Sequence, residues 1–175
     1  MFMSKLIEKA VASQLINNIS GNGLHEILQS ACKQLHSNET ALVKVFNDIV
    51  LDVDMNRIVI LLLLDLLAAF DTVDHTILIE RLANRFGLCD LTLAWFKSYL
   101  SNRTHCVSIR GARSVMYSLS CGVPQGSVLR PILDLLYTSP LGDIVRQYNT
   151  GYHFYADDTQ LYLSFSSLSG DDQAY

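Results

Sequence analysis

Seven consecutive apolar residues, Ile58 to Leu64, run without a polar interruption and stop at Asp65. A surface helix of that length would carry polar positions on its outer side, so the run predicts a strand buried on both faces. Even extended through Leu66-Leu67-Ala68-Ala69-Phe70, the segment is too short and too acidic to span a bilayer, which takes about 20 apolar residues. A carboxylate at the end of a buried strand is costly unless it is paired, hydrogen-bonded or bound to a cation. Asp65 therefore either caps the turn or helix that follows, or belongs to a polar site at the strand's end.

A second carboxylate pair sits near the C-terminus. Tyr155-Ala156-Asp157-Asp158 separates two apolar runs, Tyr152 to Phe154 and Leu161 to Phe165, which predicts a β-hairpin with both aspartates at its tip. Taken alone, the pair reads as a solvated turn, because aspartate favours turns through its own backbone hydrogen bonding. Taken with Asp65, it suggests three carboxylates converging at one end of a shared sheet. Like charges so placed repel and call for divalent cations. Oxygen-only ligands suit Mg²⁺ or Mn²⁺ and not zinc. Two such ions about 4 Å apart activate an attacking oxygen and stabilise a leaving one in phosphoryl transfer.

The remaining pattern alternates helices and strands. A helix is predicted from Ser4 to Ile19, stopped by Gly21-Asn22-Gly23, and another from Asn38 to Leu51 with Leu42, Val45, Phe46 and Ile49 on one face. Asp74 is a candidate N-cap for a helix ending at Gly87, and Asp90 to Leu100 forms the next. A hairpin around Gly111 pairs His105–Ile109 with Ser114–Leu119. Helical stretches over 128–137 and 141–148 lead into the Asp-Asp hairpin.

Half of the 175 residues are apolar, enough for one domain or a domain with an appendage. The net charge of −4 is unusual for a chain that grips a polyanion, but Arg81, Arg85, Lys97, Arg103, Arg110 and Arg113 cluster in the middle. That cluster could follow a phosphate backbone, or be the solvated face of ordinary helices. Cys32, Cys89, Cys106 and Cys121 show no Cys-x-x-Cys spacing, which argues against zinc and a disulfide framework and for reduced thiols. No secretory signal or transmembrane segment is evident, so an intracellular location is expected, nucleus or cytoplasm left open.

Several segments in order carry a more specific signal: Leu64-Asp65-Leu66 with Ala68-Ala69-Phe70-Asp71-Thr72-Val73-Asp74-His75, Trp95-Phe96-Lys97-Ser98-Tyr99-Leu100, Cys121-Gly122-Val123-Pro124-Gln125-Gly126-Ser127-Val128-Leu129 and Phe154-Tyr155-Ala156-Asp157-Asp158-Thr159. Together they resemble the reverse transcriptases of non-LTR, LINE-type retrotransposons over nearly the whole chain. The resemblance implies an α+β polymerase palm, an antiparallel sheet with helices packed on one face, plus partial helical fingers and no thumb. Residues 1–57 would be the partial fingers, 58–165 the palm-like core and 166–175 a Ser-rich tail. Asp65, Asp157 and Asp158 would be the catalytic, metal-binding aspartates, holding two Mg²⁺ (or Mn²⁺) ions, with Asp158 the more distant. Lys33, Leu66, Phe70, Gln125 and Gly126 would bind the nucleotide, Phe70 as the aromatic gate that rejects a 2′-hydroxyl. Without that resemblance Phe70 reads as core, and Gln125-Gly126 as a turn before a helix. The partners implied are an RNA template, a DNA primer and deoxynucleotide triphosphates; nothing points to a membrane or an oligomer.

The chain also departs from the family pattern. Leu67 replaces a small residue beside the metal site, Arg130 replaces a glycine, and Ala31-Cys32-Lys33 stands where Gly-Phe-Arg is usual. Asp134 lies in an apolar helix one turn from Arg130, which predicts an i,i+4 pair. With no thumb, the isolated chain is expected to make little or no DNA. The alternative is a catalytically inert retrotransposon remnant that at most binds nucleic acid.

Overall fold

A computed structural model describes residues 2–33, 35–66 and 69–166. Leu67 and the Ser-rich tail beyond Ser166 lie outside the described residues. Packing divides the chain into two compact units, each assembled from two stretches far apart in sequence: Met1–His25 with Leu67–Ser139, and Glu26–Leu66 with Pro140–Tyr175.

The first unit is mainly helical. Helix α1 (Phe2–Gly21) contributes Ala12, Leu15 and Ile19 to a core shared with α3 (His75–Asn84) and α4 (Asp90–Leu100). Helix α5 (Arg130–Thr138) completes it with Leu133 and Leu136, and Leu129 packs just before its start. Asp74 caps α3 as the sequence predicts, its Oδ1 accepting from the Thr76 and Ile77 amides at 2.7 and 3.1 Å. These backbone bonds hold its carboxyl below the ordinary range. The expected hairpin around Gly111 appears as two short ladders. They pair β2 (Thr104–His105) with β5 (Tyr117–Ser118), and β3 (Ser108–Ile109) with β4 (Ala112–Arg113).

The second unit holds α2 (Asn38–Asp54), α6 (Pro140–Arg146) and an antiparallel sheet. Its strands are β1 (Arg57–Asp65), β6 (Gly151–Tyr155) and β7 (Asp158–Ser166), in the order β1-β7-β6. A reciprocal capping box starts α2: Thr40 N–H donates to Ser37 Oγ at 3.3 Å, and Ser37 N–H donates to Thr40 Oγ1 at 2.8 Å. Its buried stripe is Ala41 and Val45, whereas Leu42 and Phe46 are exposed, so the apolar face read from the sequence is only half right. The reason lies in the sheet. Tyr162 of β7 donates its hydroxyl to Asp48 of α2, which turns the Ala41–Val45–Asp48 side inward.

Helices meet both faces of this sheet rather than one. Tyr162 and Leu161 are consecutive on a strand and so point to opposite sides. Tyr162 reaches α2, while Leu161 packs with Tyr152, Phe154, Leu28 and Val145 of α6. An ionic knot centred on the buried Glu26 fastens that second side. Glu26 accepts from the Tyr152 hydroxyl and from Arg146 Nη1, both at 2.7 Å. Burial, and then the bond to Glu26, push the Tyr152 phenol up to about 12.

Strand β1 contradicts its own hydrophobicity. Of its nine residues only Val59 is half-buried, and Leu63 is 67% exposed. The expectation of a strand covered on both faces fails: β1 meets α2, but none of its side chains joins the cluster of Leu28, Leu161 and Val145, and among the described residues it is an edge strand paired only to β7.

Candidate active site

Antiparallel pairing fixes where the three aspartates meet. The register runs without a bulge from Arg57 opposite Ser166 to Asp65 opposite Asp158. The β6–β7 ladder closes at Tyr155 opposite Asp158, leaving Ala156 and Asp157 as a two-residue turn. Asp65 therefore faces Asp158 directly, and Asp157 is the next residue on the turn. Directly opposed residues of an antiparallel pair have Cβ atoms about 4.5–5.5 Å apart, and like charges so placed repel. Leu63, Leu64, Asp65, Asp158, Thr159 and Gln160 line a cavity of about 240 Å³ beside them.

The donor set fits a hard divalent cation. Both facing groups are carboxylates, and Mg²⁺ characteristically takes one or two protein carboxylates plus water or substrate phosphate. Among the described residues no group of three or more His, Cys, Asp or Glu side chains is placed to hold a metal ion. Asp65 and Asp158 are thus the pair the register brings together, with Asp157 adjoining.

The turn itself is unusual. Ala156 has φ +53°, a left-handed conformation at the first central position of the hairpin turn, which ordinarily goes to glycine. It is held from outside by Gln29, whose Oε1 accepts from the Ala156 amide at 3.1 Å and whose Nε2 donates to the Ala156 carbonyl at 3.3 Å. Sequence reasoning missed Gln29, because nothing local marks a side chain that meets its partner 127 positions away.

The other sequence-predicted residues are spread over both units. In the sheet unit, Lys33 is half-buried in the loop before α2, and Leu66 is exposed immediately beyond Asp65. In the helical unit, Phe70 lies in a short 3₁₀ turn (Ala69–Asp71), and Gln125 and Gly126 are exposed in the loop before α5. The two loops are stitched together: Val123 N–H donates to the Phe70 carbonyl at 3.0 Å and Gly122 N–H to that of Val73 at 2.8 Å. A Cβ on Gly122, whose φ is +85°, would meet the Asp71 carbonyl oxygen at 3.1 Å. At Gly126 the requirement is only conformational, φ +74° in open space.

Arg130 does not pair with Asp134. Its guanidinium lies 4.5 Å from the centre of the Phe70 ring and donates to Asp71 Oδ1 at 3.1 Å, while Asp134 is buried on the apolar side of α5. The basic middle is partly committed as well. Arg81 stacks on Tyr137 and donates to its carbonyl, and Arg103 stacks on Tyr99 and donates to its carbonyl at 2.7 Å.

Residues 1–168 match the family model described as reverse transcriptase (RNA-dependent DNA polymerase). The chain is 31% identical over 141 residues to the probable RNA-directed DNA polymerase from transposon X-element of Drosophila melanogaster. That match covers 78% of this chain and 15% of the relative. It is 27% identical over 172 residues to the RNA-directed DNA polymerase from mobile element jockey of the same fly, covering 95% and 18%. The chain therefore spans less than a fifth of the length of these relatives. Its fold is similar to apo telomerase from Candida tropicalis, with a TM-score of 0.63 at 17% identity, covering 88% of this chain and 34% of that one. Telomerase from Candida albicans, solved with a fragment of telomeric RNA, gives a TM-score of 0.62 at 15% identity, covering 91% and 30%. No helix among the described residues is long and apolar enough to cross a membrane. With transposon polymerases as its sequence relatives and a family model matched from the first residue to beyond the Asp-Asp hairpin, this chain belongs to the reverse transcriptase family.

Proposed function

We propose that the chain is part of the catalytic core of a LINE-type RNA-directed DNA polymerase, with Asp65, Asp157 and Asp158 as the carboxylates that bind divalent cations. The observation that carries this reading is the register placing Asp65 against Asp158, with Asp157 on the adjoining turn. Mg²⁺ or Mn²⁺, two ions in the full arrangement, supply charge neutralisation at the transferring phosphate. The reaction joins a primer 3′-hydroxyl to the α-phosphate of a deoxynucleotide triphosphate and releases pyrophosphate. The chain's residues act mainly by positioning. Phe70 serves as the gate against a 2′-hydroxyl, Gln125 and Gly126 position template and nucleotide, Leu66 offers a carbonyl, and Lys33 attracts the triphosphate. An RNA template and DNA primer are the matching partners, in keeping with the RNA-bound telomerase of similar fold.

One observation favours a second reading, an inert remnant that at most binds nucleic acid: no cluster of three metal-capable side chains occurs among the described residues. Mn²⁺ titration followed by electron paramagnetic resonance separates the two. The polymerase reading expects saturable uptake that falls by roughly tenfold or more in Asp65→Asn and Asp158→Asn, since even supporting groups at metal sites are worth that much. Absence of saturable uptake by the wild-type chain, alongside salt-sensitive RNA binding indifferent to Mg²⁺, would establish the remnant.

A further inference from the structure

We infer that Gln29 is a positioning residue for the acidic turn: its carboxamide fixes the left-handed backbone of Ala156 and thereby aims Asp157 and Asp158, an inference that rests on the metal-binding reading above. The segment carrying Gln29 runs parallel to the end of β6. Phe154 N–H donates to the Leu28 carbonyl at 2.8 Å, and Ser30 N–H donates to the Phe154 carbonyl at 3.0 Å. Those bonds place the Gln29 side chain at the turn. There Oε1 accepts from Ala156 N–H, and also from Ala31 N–H at 3.0 Å, while Nε2 donates to the Ala156 carbonyl. One carboxamide thus satisfies both polar groups of a single residue.

Within the turn, Ala156 is the residue under conformational stress. A left-handed φ is unfavourable for any side chain with a Cβ and persists only when its surroundings over-determine it. Glycine would hold this turn unaided; alanine needs an external clamp. The turn's geometry decides where Asp157 projects and where β7 begins, hence how Asp158 meets Asp65 across the ladder. Glu26, fastened to Arg146 and Tyr152, anchors the start of the same segment, so the clamp is mounted on a fixed support.

The logic predicts a specific rescue. In the 175-residue chain, Gln29→Ala should weaken Mn²⁺ binding roughly tenfold, the usual scale for loss of a group that orients metal ligands. Adding Ala156→Gly should restore most of that affinity, because glycine adopts the turn without help. A Gln29→Ala chain that binds Mn²⁺ as the wild type does, or a loss that Ala156→Gly leaves unrepaired, would overturn the assignment. Hydrogen exchange across residues 154–158 gives a readout independent of metal: Gln29→Ala should speed exchange there and leave α2 unchanged. Should the wild type take up no Mn²⁺, the polymerase reading fails, and exchange alone judges the clamp. Equal exchange in the two chains then refutes it.

Discussion

Strands β1 and β6 flank the same central strand, yet the more apolar of the two is the less buried. β6 carries glycine, two tyrosines, histidine and phenylalanine, and its three middle residues are buried. β1, with seven apolar residues in succession, is exposed along nearly its whole length. The difference is what lies around each strand. α2 covers one side of β6, α6 and Leu28 cover the other, and Gln29 bridges its outer margin. β1 meets α2 as well, but none of its side chains joins the Leu28–Val145 cluster on the other side, and among the described residues it has β7 on one margin and no strand on the other. Side-chain hydrophobicity therefore states what a strand would gain from cover, whereas topology decides whether it gets any.

The sharpest way to break this contrast is truncation in β6. Phe154→Ala empties a site that is 5% exposed and is expected to cost about 3–5 kcal/mol in urea unfolding. A cost below about 1 kcal/mol would mean that β6 is not the packed side.

Acidification probes the same strand more gently. His153 donates or accepts one hydrogen bond with Ser30 Oγ at 2.9 Å, and its Nδ1 has no hydrogen-bond partner among the described residues. Burial lowers its proton affinity below the ordinary 6.5, Lys44, His36 and Lys33 lower it further, and only Asp48 opposes. A depressed folded value means that the unfolded chain takes up the proton first as pH falls. Stability is therefore full above about 6.5 and declines below it toward the folded value. Unfolding free energy measured between pH 7 and 5.5 should drop in the wild type and flatten in His153→Gln. An unchanged slope in that variant would show that His153 is not held neutral.

The smallest effect belongs to β1. Leu63→Lys places a charge at a position 67% exposed and should change the unfolding free energy by no more than about 0.5 kcal/mol. Light scattering on heating should nevertheless improve, because charge on an apolar edge blocks strand addition. A large loss of stability would instead reveal cover over β1.

Local signals were legible and distant ones were not. The hairpin and the Asp74 cap follow from residues a few positions apart and appear where the sequence places them, with Asp157 in the turn and Asp158 already the first residue of β7. Arg130 shows the limit. Spacing offered Asp134 one turn away, yet the guanidinium found Asp71, 59 residues distant, and the Phe70 ring. The Gln29 clamp and the Asp65–Asp158 register depend in the same way on chain topology, which no short window contains. The burial of Ala41 in place of Leu42 is subtler, since both stripes of α2 are apolar and only the Asp48–Tyr162 contact selects between them.

The split composition of the helical unit bears on how the chain is made. Ala12, Leu15 and Ile19 are made first, but Leu129 and Leu133, which share their core, are translated more than a hundred codons later. At about 5–20 residues per second the first helix waits on the order of ten seconds before α5 completes that core. Slowing the ribosome between the two segments should lengthen that incomplete interval and cut the soluble yield.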